Sequence, residues 1–171
     1  ILNGSLYYGT FLTAGEIGHT VLFPGNALGT RSLEQNCSRT SVVERIVRLI
    51  KSNRKSVIPS LVDGDLDEIK SKTIAKAYQM GDELTMQVVD NAADLIGISI
   101  ANMVTVLSLG RVVLGGGLTE ALGEPLVDRV KKSVRAHVFP EKCKAVKVVG
   151  TKLLDEAGVL GAALIAWERM R

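Results

Sequence analysis

Residues 81 to 117, GDELTMQVVDNAADLIGISIANMVTVLSLGRVVLGGG, constrain the fold more than any other stretch. Gly81-Asp82 opens a long helix. From there Leu84, Val88, Val89, Ala92, Leu95, Ile96, Ile100, Met103, Val104 and Leu107 recur at helical spacing. The apolar stripe widens toward the C-terminal half, so the spacing predicts one helix to about Ser108 whose second half is buried on most sides. The run RVVLGGG is then expected to be a short buried strand closed by three glycines. A helix over 123 to 137, a strand over 145 to 150 and a last helix from Asp155 or Glu156 follow. Helix, strand, helix, strand, helix in that order predicts a parallel α/β layer with right-handed crossovers.

The first half is more broken. After the turn signal Asn3-Gly4, β-prone runs on either side predict a hairpin followed by a strand over residues 1 to 23. Gly25 and Gly29 punctuate a loop. Val42, Val43, Ile46, Val47, Leu49 and Ile50 then mark a helix from Ser32 or Leu33 to Ile50. Pro59 and Asp63-Gly64-Asp65 mark another loop, and residues 67 to 79 a short amphipathic helix. There is no internal repeat and no low-complexity segment.

A length of 171 residues suits one domain with a proper core. Aromatics make up only 4% against 46% hydrophobic residues in all, so the core must be aliphatic. Cys37 and Cys143 are the only cysteines, which excludes a disulfide framework and a cysteine-rich zinc site and makes a reducing cytoplasm the expected compartment. No apolar run reaches membrane-spanning length, and ILNGSLYYGT lacks the charged start and apolar stretch of a signal peptide. Because the chain does not begin with Met, a fragment or processed chain is expected. Net charge is +3 but uneven. Arg39, Arg45, Arg48, Lys51, Arg54 and Lys55 oppose Glu44 alone, and a second basic stretch holds Arg129, Lys131, Lys132, Arg135, Lys142, Lys144 and Lys147. Either stretch could meet phosphates or nucleic acid. Solvated helix faces are the preferred reading, since neither stretch interleaves aromatics or forms a DNA-reading motif.

Two groups of residues are placed for chemistry. Gly115, Gly116 and Gly117 lie beyond a strand and before a helix, where α/β sheets open a crevice and glycines let backbone approach a phosphate or nucleoside. The triplet lacks the Lys and Ser/Thr of a P-loop and the spacing of the dinucleotide fingerprint, so a tight turn with no ligand stands beside that reading. Glu16 and His19 sit around Gly18, and Glu34 follows a glycine-containing loop. Two carboxylates and an imidazole at a cleft suit a polyhydroxylated ligand. A metal site is the alternative, although a closed zinc site wants a tetrahedral set and no paired cysteines accompany His19. A hydrogen-bonded structural His is the third reading. No general base stands out. Asp155 and Glu156 read as N-cap and first-turn acids of the last helix, and Asp90 and Asp94 as polar-face residues of the long one. Ser38 reads as capping or packing, His137 as a surface or helix-end residue, and Trp167 as packing.

In their order along the chain, "LNGSLYYG…TAGEIGH", "LEQNCS", "AYQMGDELTMQVVDNAADLIGISIANMVTVLSLGRVVLGGGL" and "LLDEAGVLGAALIA" resemble the C-terminal portion of the ROK family, bacterial sugar kinases and sugar-responsive repressors. The resemblance spans nearly the whole chain. It implies the actin-like, ribonuclease-H-like α/β fold, here a C-terminal lobe with a mixed sheet flanked by helices, and ATP and sugar bound between two lobes. It further implies that Glu16, His19 and Glu34 contact sugar hydroxyls and that Gly115, Gly116 and Gly117 lie against the nucleotide. The implied reaction is transfer of the ATP γ-phosphoryl group to a hexose hydroxyl, with Mg²⁺ on the phosphates and an Asp as base. A homodimer through the long helices is also implied. Two departures accompany the match. The family's N-terminal lobe, with its Asp-x-Gly-Gly-Thr loop and Asn-Asp motif, has no counterpart here, so no catalytic residue and no kinase activity are expected of this chain by itself. The family's zinc loop, Cys-x-Cys-Gly-x-x-Gly-Cys-Leu-Glu, is replaced by "NALGTRSLE" with none of its three cysteines, so zinc is not carried over, nor is Cys37 a replacement. A glucokinase-like enzyme is the first expectation. A sugar-sensing repressor, with DNA read by an upstream helix-turn-helix, and an inactive binding or dimerisation module are the alternatives.

Overall fold

The computed structural model describes residues 1–2 and 4–170. The chain runs through α1 (Leu33–Cys37), α2 (Arg39–Lys51), α3 (Ile58–Leu61), α4 (Ser71–Gln79), α5 (Glu83–Leu107), β1 (Arg111–Leu114), α6 (Gly117–Leu122), α7 (Glu124–His137), β2 (Lys147–Gly150) and α8 (Ala157–Arg169).

The long helix forms as its pattern requires and organises the rest. Asp82 caps α5: one carboxylate oxygen accepts from Thr85 N at 2.8 Å and the other from Val57 N at 2.7 Å, which ties the helix start to the chain ahead of α3. Burial by itself would raise the Asp82 carboxyl, but the hydrogen bonds from Thr85, Val57 and Ser56 hold it below the usual carboxylate range. At the other end Ser108 takes the left-handed conformation that closes the helix. The face of α5 bearing Val89, Ala93, Ile100 and Val104 is buried, chiefly against α7 and also against α1 and α2. Gly97 makes the α5–α7 approach possible, since a Cβ there would collide with Ser133 of α7. Ser133 Oγ in turn donates to the Asp94 carbonyl at 2.7 Å. Every fully buried large apolar side chain is aliphatic, with Ile46, Ile58, Ile74, Leu84 and Val130 among them. Among the described residues no helix is long and apolar enough to cross a membrane.

The two strands pair in parallel, Arg111 opposite Lys147 through Leu114 opposite Gly150, as the helix–strand order predicts. β1 is not the buried strand its apolar run suggests. Val148 is 3% exposed where α7 covers the pair, whereas Val113 is 58% and Val149 41% exposed on the other side. A parallel strand is buried only when both faces are covered.

Further expectations change. Among the described residues of 1 to 23 no strand forms; there are the single antiparallel pairings of Leu2 with Ser5 and Val21 with Ser32 and a 3-10 turn at Ile17–His19. Asn3, the first half of the expected turn, lies outside the described residues. β-propensity expresses fit to a neighbouring strand, and among the described residues this segment has none. The helix expected over Ser32 to Ile50 is two, because extended Ser38 ends α1 through its N–H to Glu34 O and starts α2 by accepting from Ser41 N. The helix expected over 67 to 79 begins only at Ser71, after a 3-10 turn at Leu66–Glu68, and the short helices α3 and α6 occupy stretches read as loop and turn. Ala157 opens α8, and Glu156 takes the N-cap position with no side-chain cap bond. The side chain of Asp155 is outside the described set. Trp167, read as packing, is 49% exposed.

Candidate functional site

Glu16, His19 and Glu34 come together through one loop closure. The 3-10 turn Ile17–His19 is fixed at its end by the Thr20 hydroxyl, which donates to Ile17 O at 2.6 Å. Leu22 N bonds Arg31 O at 2.8 Å and Leu33 N bonds Thr20 O at 3.1 Å, so the intervening loop closes and the first turn of α1 seats on the 3-10 turn. A capping box finishes the start of α1: Gln35 N donates to Ser32 Oγ while Gln35 Oε1 accepts from Ser32 N. Glu34 in that first turn lies against Gly18, where a Cβ would stand 3.1 Å from Glu34 Oε2. His19 Nε2 is 3.8 Å from Glu16 Oε2, and both side chains are about three-quarters exposed, 75% and 70%. An exposed pair at that distance contributes little to stability. Its donors and acceptors stay free for a ligand. With two carboxylates accepting and an imidazole able to donate or accept, the cluster is suited to hydroxyl groups.

The glycine triplet forms the floor of a second feature. Gly115 follows β1, Gly116 has φ 95°, a conformation that favours glycine, and Gly117 begins α6 with Ser71 Oγ only 3.1 Å from where a Cβ would be. The three line a cleft of about 290 Å³ together with Cys37, Ser38 and Arg39 at the α1–α2 junction and Val89, Ala92 and Ile96 of α5. Burial pushes the Cys37 thiol up to about 12, with Arg45 opposing the rise, which favours the neutral thiol near neutral pH. Helix α1 joins the two features: Glu34 is in its first turn at the Glu16–His19 cluster, and Cys37 is its last residue in the cleft. At ~1.5 Å rise per residue these positions are only about 4.5 Å apart along the axis.

The model of the ROK family matches residues 1–169. The chain belongs to the ROK family. Among curated ROK proteins, the glucokinase of Thermotoga maritima is 25% identical over 173 aligned residues covering 99% of this chain and 54% of that protein. The DNA-binding transcriptional dual regulator NagC of Escherichia coli is 27% identical over 169 residues, 95% of this chain and 39% of that protein. The solved ROK family glucokinase of Streptomyces griseus, in complex with glucose and AMPPNP, superposes with TM-score 0.84 at 26% identity over 96% of this chain and 55% of its own. The fold is therefore the actin-like fold of ROK sugar kinases. The chain spans about half the length of the glucokinases it matches.

Other polar residues of this ROK chain serve its architecture. Arg129 of α7 forks onto Asp94, Nε to Oδ1 at 2.9 Å and the second guanidinium nitrogen to Oδ2 at 2.6 Å, and reaches Asp90 at 3.7 Å. Tyr78 donates to Asp90 at 2.8 Å, and burial pushes the Tyr78 phenol up. Asp90 and Asp94 thus clamp α4, α5 and α7 together, where the spacing alone placed them on a polar face. Within the second basic stretch Lys131 pairs with Asp128 at 2.9 Å and Lys144 with Glu141 at 2.8 Å. His137 contacts Ser133 O through Nδ1 at 2.8 Å in the last turn of α7. Ser38 is the capping residue expected of it, and it also faces the cleft. Sequence reasoning did not single out Arg39 there; the available signal was an arginine directly after a helix cap.

The residues where the family carries zinc do not fit that metal. The loop is held by amides and hydroxyls instead of sulfur: Asn36 Nδ2 donates to Thr30 O at 3.0 Å and Ser32 O at 2.8 Å, and Arg31 N donates to Gln35 Oε1 at 2.8 Å. Among the described residues no three His, Cys, Asp or Glu side chains gather to hold a metal.

Proposed function

We propose that the chain is the C-terminal sugar- and nucleotide-binding lobe of a two-lobed ROK hexose kinase, which transfers the γ-phosphoryl group of ATP to a hydroxyl of glucose or a related hexose. The observation that carries this reading is the position of α1, a single short helix between the hydroxyl-suited cluster and the glycine-lined cleft. Phosphoryl transfer is mostly positioning and charge neutralisation, so holding acceptor and donor from one rigid element is the contribution such a lobe would make. In this reading Glu16 and Glu34 accept from sugar hydroxyls, His19 donates or accepts, and Gly115, Gly116 and Gly117 lie against the nucleotide. Mg²⁺ would arrive on the phosphates and be held from elsewhere, as would the catalytic Asp.

A second lobe is supported by the surface of this one. Helix α8 is apolar almost all round between Ala157 and Trp167, a pattern that belongs to buried helices, yet Val159 is 73% and Leu164 53% exposed. Phe11 is 85% exposed in the segment whose strands found no partner. Dimerisation and a cytoplasmic location belong to the same proposal, and chain mass in solution checks the first.

The full-length protein with ATP, Mg²⁺ and a panel of hexoses should release ADP in a sugar-dependent manner. Absence of release with every common hexose would sink the kinase reading. A repressor is the second reading, favoured by the 27% identity to NagC. The upstream sequence separates the two: an Asp-x-Gly-Gly-Thr start supports the kinase, a helix-turn-helix the repressor.

A further inference from the structure

We propose that Arg39 binds the phosphates of the ligand in the glycine-lined cleft and so fixes which way a nucleotide lies there, an inference that rests on the nucleotide reading above. The cleft is walled by aliphatic side chains, among them Val42, Val89, Ala92, Ile96, Leu118 and Leu126. Arg39 is the only charged side chain along it among the described residues. Its guanidinium is exposed and enters no hydrogen bond or ion pair among them, whereas Arg129 is forked onto Asp94 and Arg54 donates to Gln87.

Its place on α2 sets it apart from the rest of the basic run. Arg48 and Lys51 occupy the last turn, where the negative end of the helix favours cations. Arg39 is the first residue of the same 13-residue helix, at the positive end, and no acid shares its turn. The helix does not need it for capping, since Ser38 Oγ already accepts from Ser41 N at 3.2 Å. A cation placed against the helix dipole with no partner breaks a local rule, and such breaks concentrate at functional positions. An anion at the rim of the cleft would supply the missing partner.

The lining specifies the ligand class. Aliphatic walls take a flat, weakly polar group, and about 290 Å³ lies at the small end of ligand cavities. A phosphate tail leaves through the rim, where a guanidinium can fork onto phosphate oxygens and glycines leave the backbone open to approach. A nucleoside di- or triphosphate, base inward and phosphates at Arg39, satisfies both ends.

Titration calorimetry of the full-length protein with ADP and with adenosine tests this on the parent, Arg39→Ala and Arg39→Lys. Arg39→Ala should weaken ADP roughly tenfold or more while leaving adenosine unchanged, and Arg39→Lys, which keeps the charge but loses the fork, should recover part of the loss. The Tm of Arg39→Ala should match or exceed that of the parent, because the residue is exposed and opposed by the helix dipole. Equal ADP affinity in parent and Arg39→Ala overturns the proposal, as does an equal loss for ADP and adenosine. A parent that binds neither ligand overturns the nucleotide reading itself and this inference with it.

Discussion

At the scale of single residues the hydroxyl-suited cluster separates binding from folding. Glu16 and His19 are largely exposed and their mutual contact is a weak surface pair, so Glu16→Ala and His19→Ala should leave Tm within a degree or two of the parent. In the full-length protein the same variants should weaken sugar roughly tenfold, about 1 to 3 kcal/mol for unpaired polar contacts, as measured by calorimetry. Unchanged sugar affinity would remove both residues from the site. Gly18 offers a sharper test. A methyl group there would stand 3.1 Å from Glu34 Oε2, the far end of a flexible side chain, so Gly18→Ala should turn the carboxylate aside. Sugar affinity should drop with little loss of stability, and a drop no larger than that of a distant surface control would argue against a role for Glu34.

At the scale of elements, stability is concentrated where α5 begins and where it crosses α7. Gly97→Ala drives a methyl group into Ser133 and toward the Val130 carbonyl at 3.0 Å, and overpacking of this kind costs about 1 to 3 kcal/mol. Chemical denaturation should show that loss, and Ser133→Gly in the same chain should recover a part of it by removing the opposing Cβ. At the start of α5, Asp82 joins a helix cap to the chain ahead of α3. Its folded-state pKa lies below the unfolded one, so the stability it contributes is complete above the ordinary carboxylate value near 3.9 and is lost as pH falls through the depressed folded value. Asp82→Asn should flatten the acid limb of the stability–pH curve, and an unchanged limb would mean that other carboxylates dominate it.

At the scale of the whole molecule the chain divides into a well-packed body around α5 and a surface, residues 1–12 with α8, that has little to lean on. Native-state hydrogen exchange should show α5 amides opening only with global unfolding and α8 amides opening far more readily. Equal protection of the two helices would contradict the structure. The same division tracks what the residues could say in advance. The long helix, its Asp82 start and the parallel β1–β2 pairing were legible because local signals agree with packing contained in this chain. So was the aliphatic core, which a composition with 4% aromatics demands. The strands expected over residues 1 to 23 were not, because a strand is defined by its partner and the sequence of one segment does not say whether a partner is present. Spacing alone offered Glu16, His19 and Glu34 as candidates, but their meeting depends on the backbone bonds that fold the 20–33 loop back on itself. The break at Ser38, which brings Arg39 to the glycine-lined cleft, was decided by tertiary structure too. Sequence by itself determined the periodic elements and the family, since both are written in local pattern and order. Only the tertiary structure decided which polar residues meet and which apolar surfaces stay uncovered, because those depend on contacts between segments far apart in the chain.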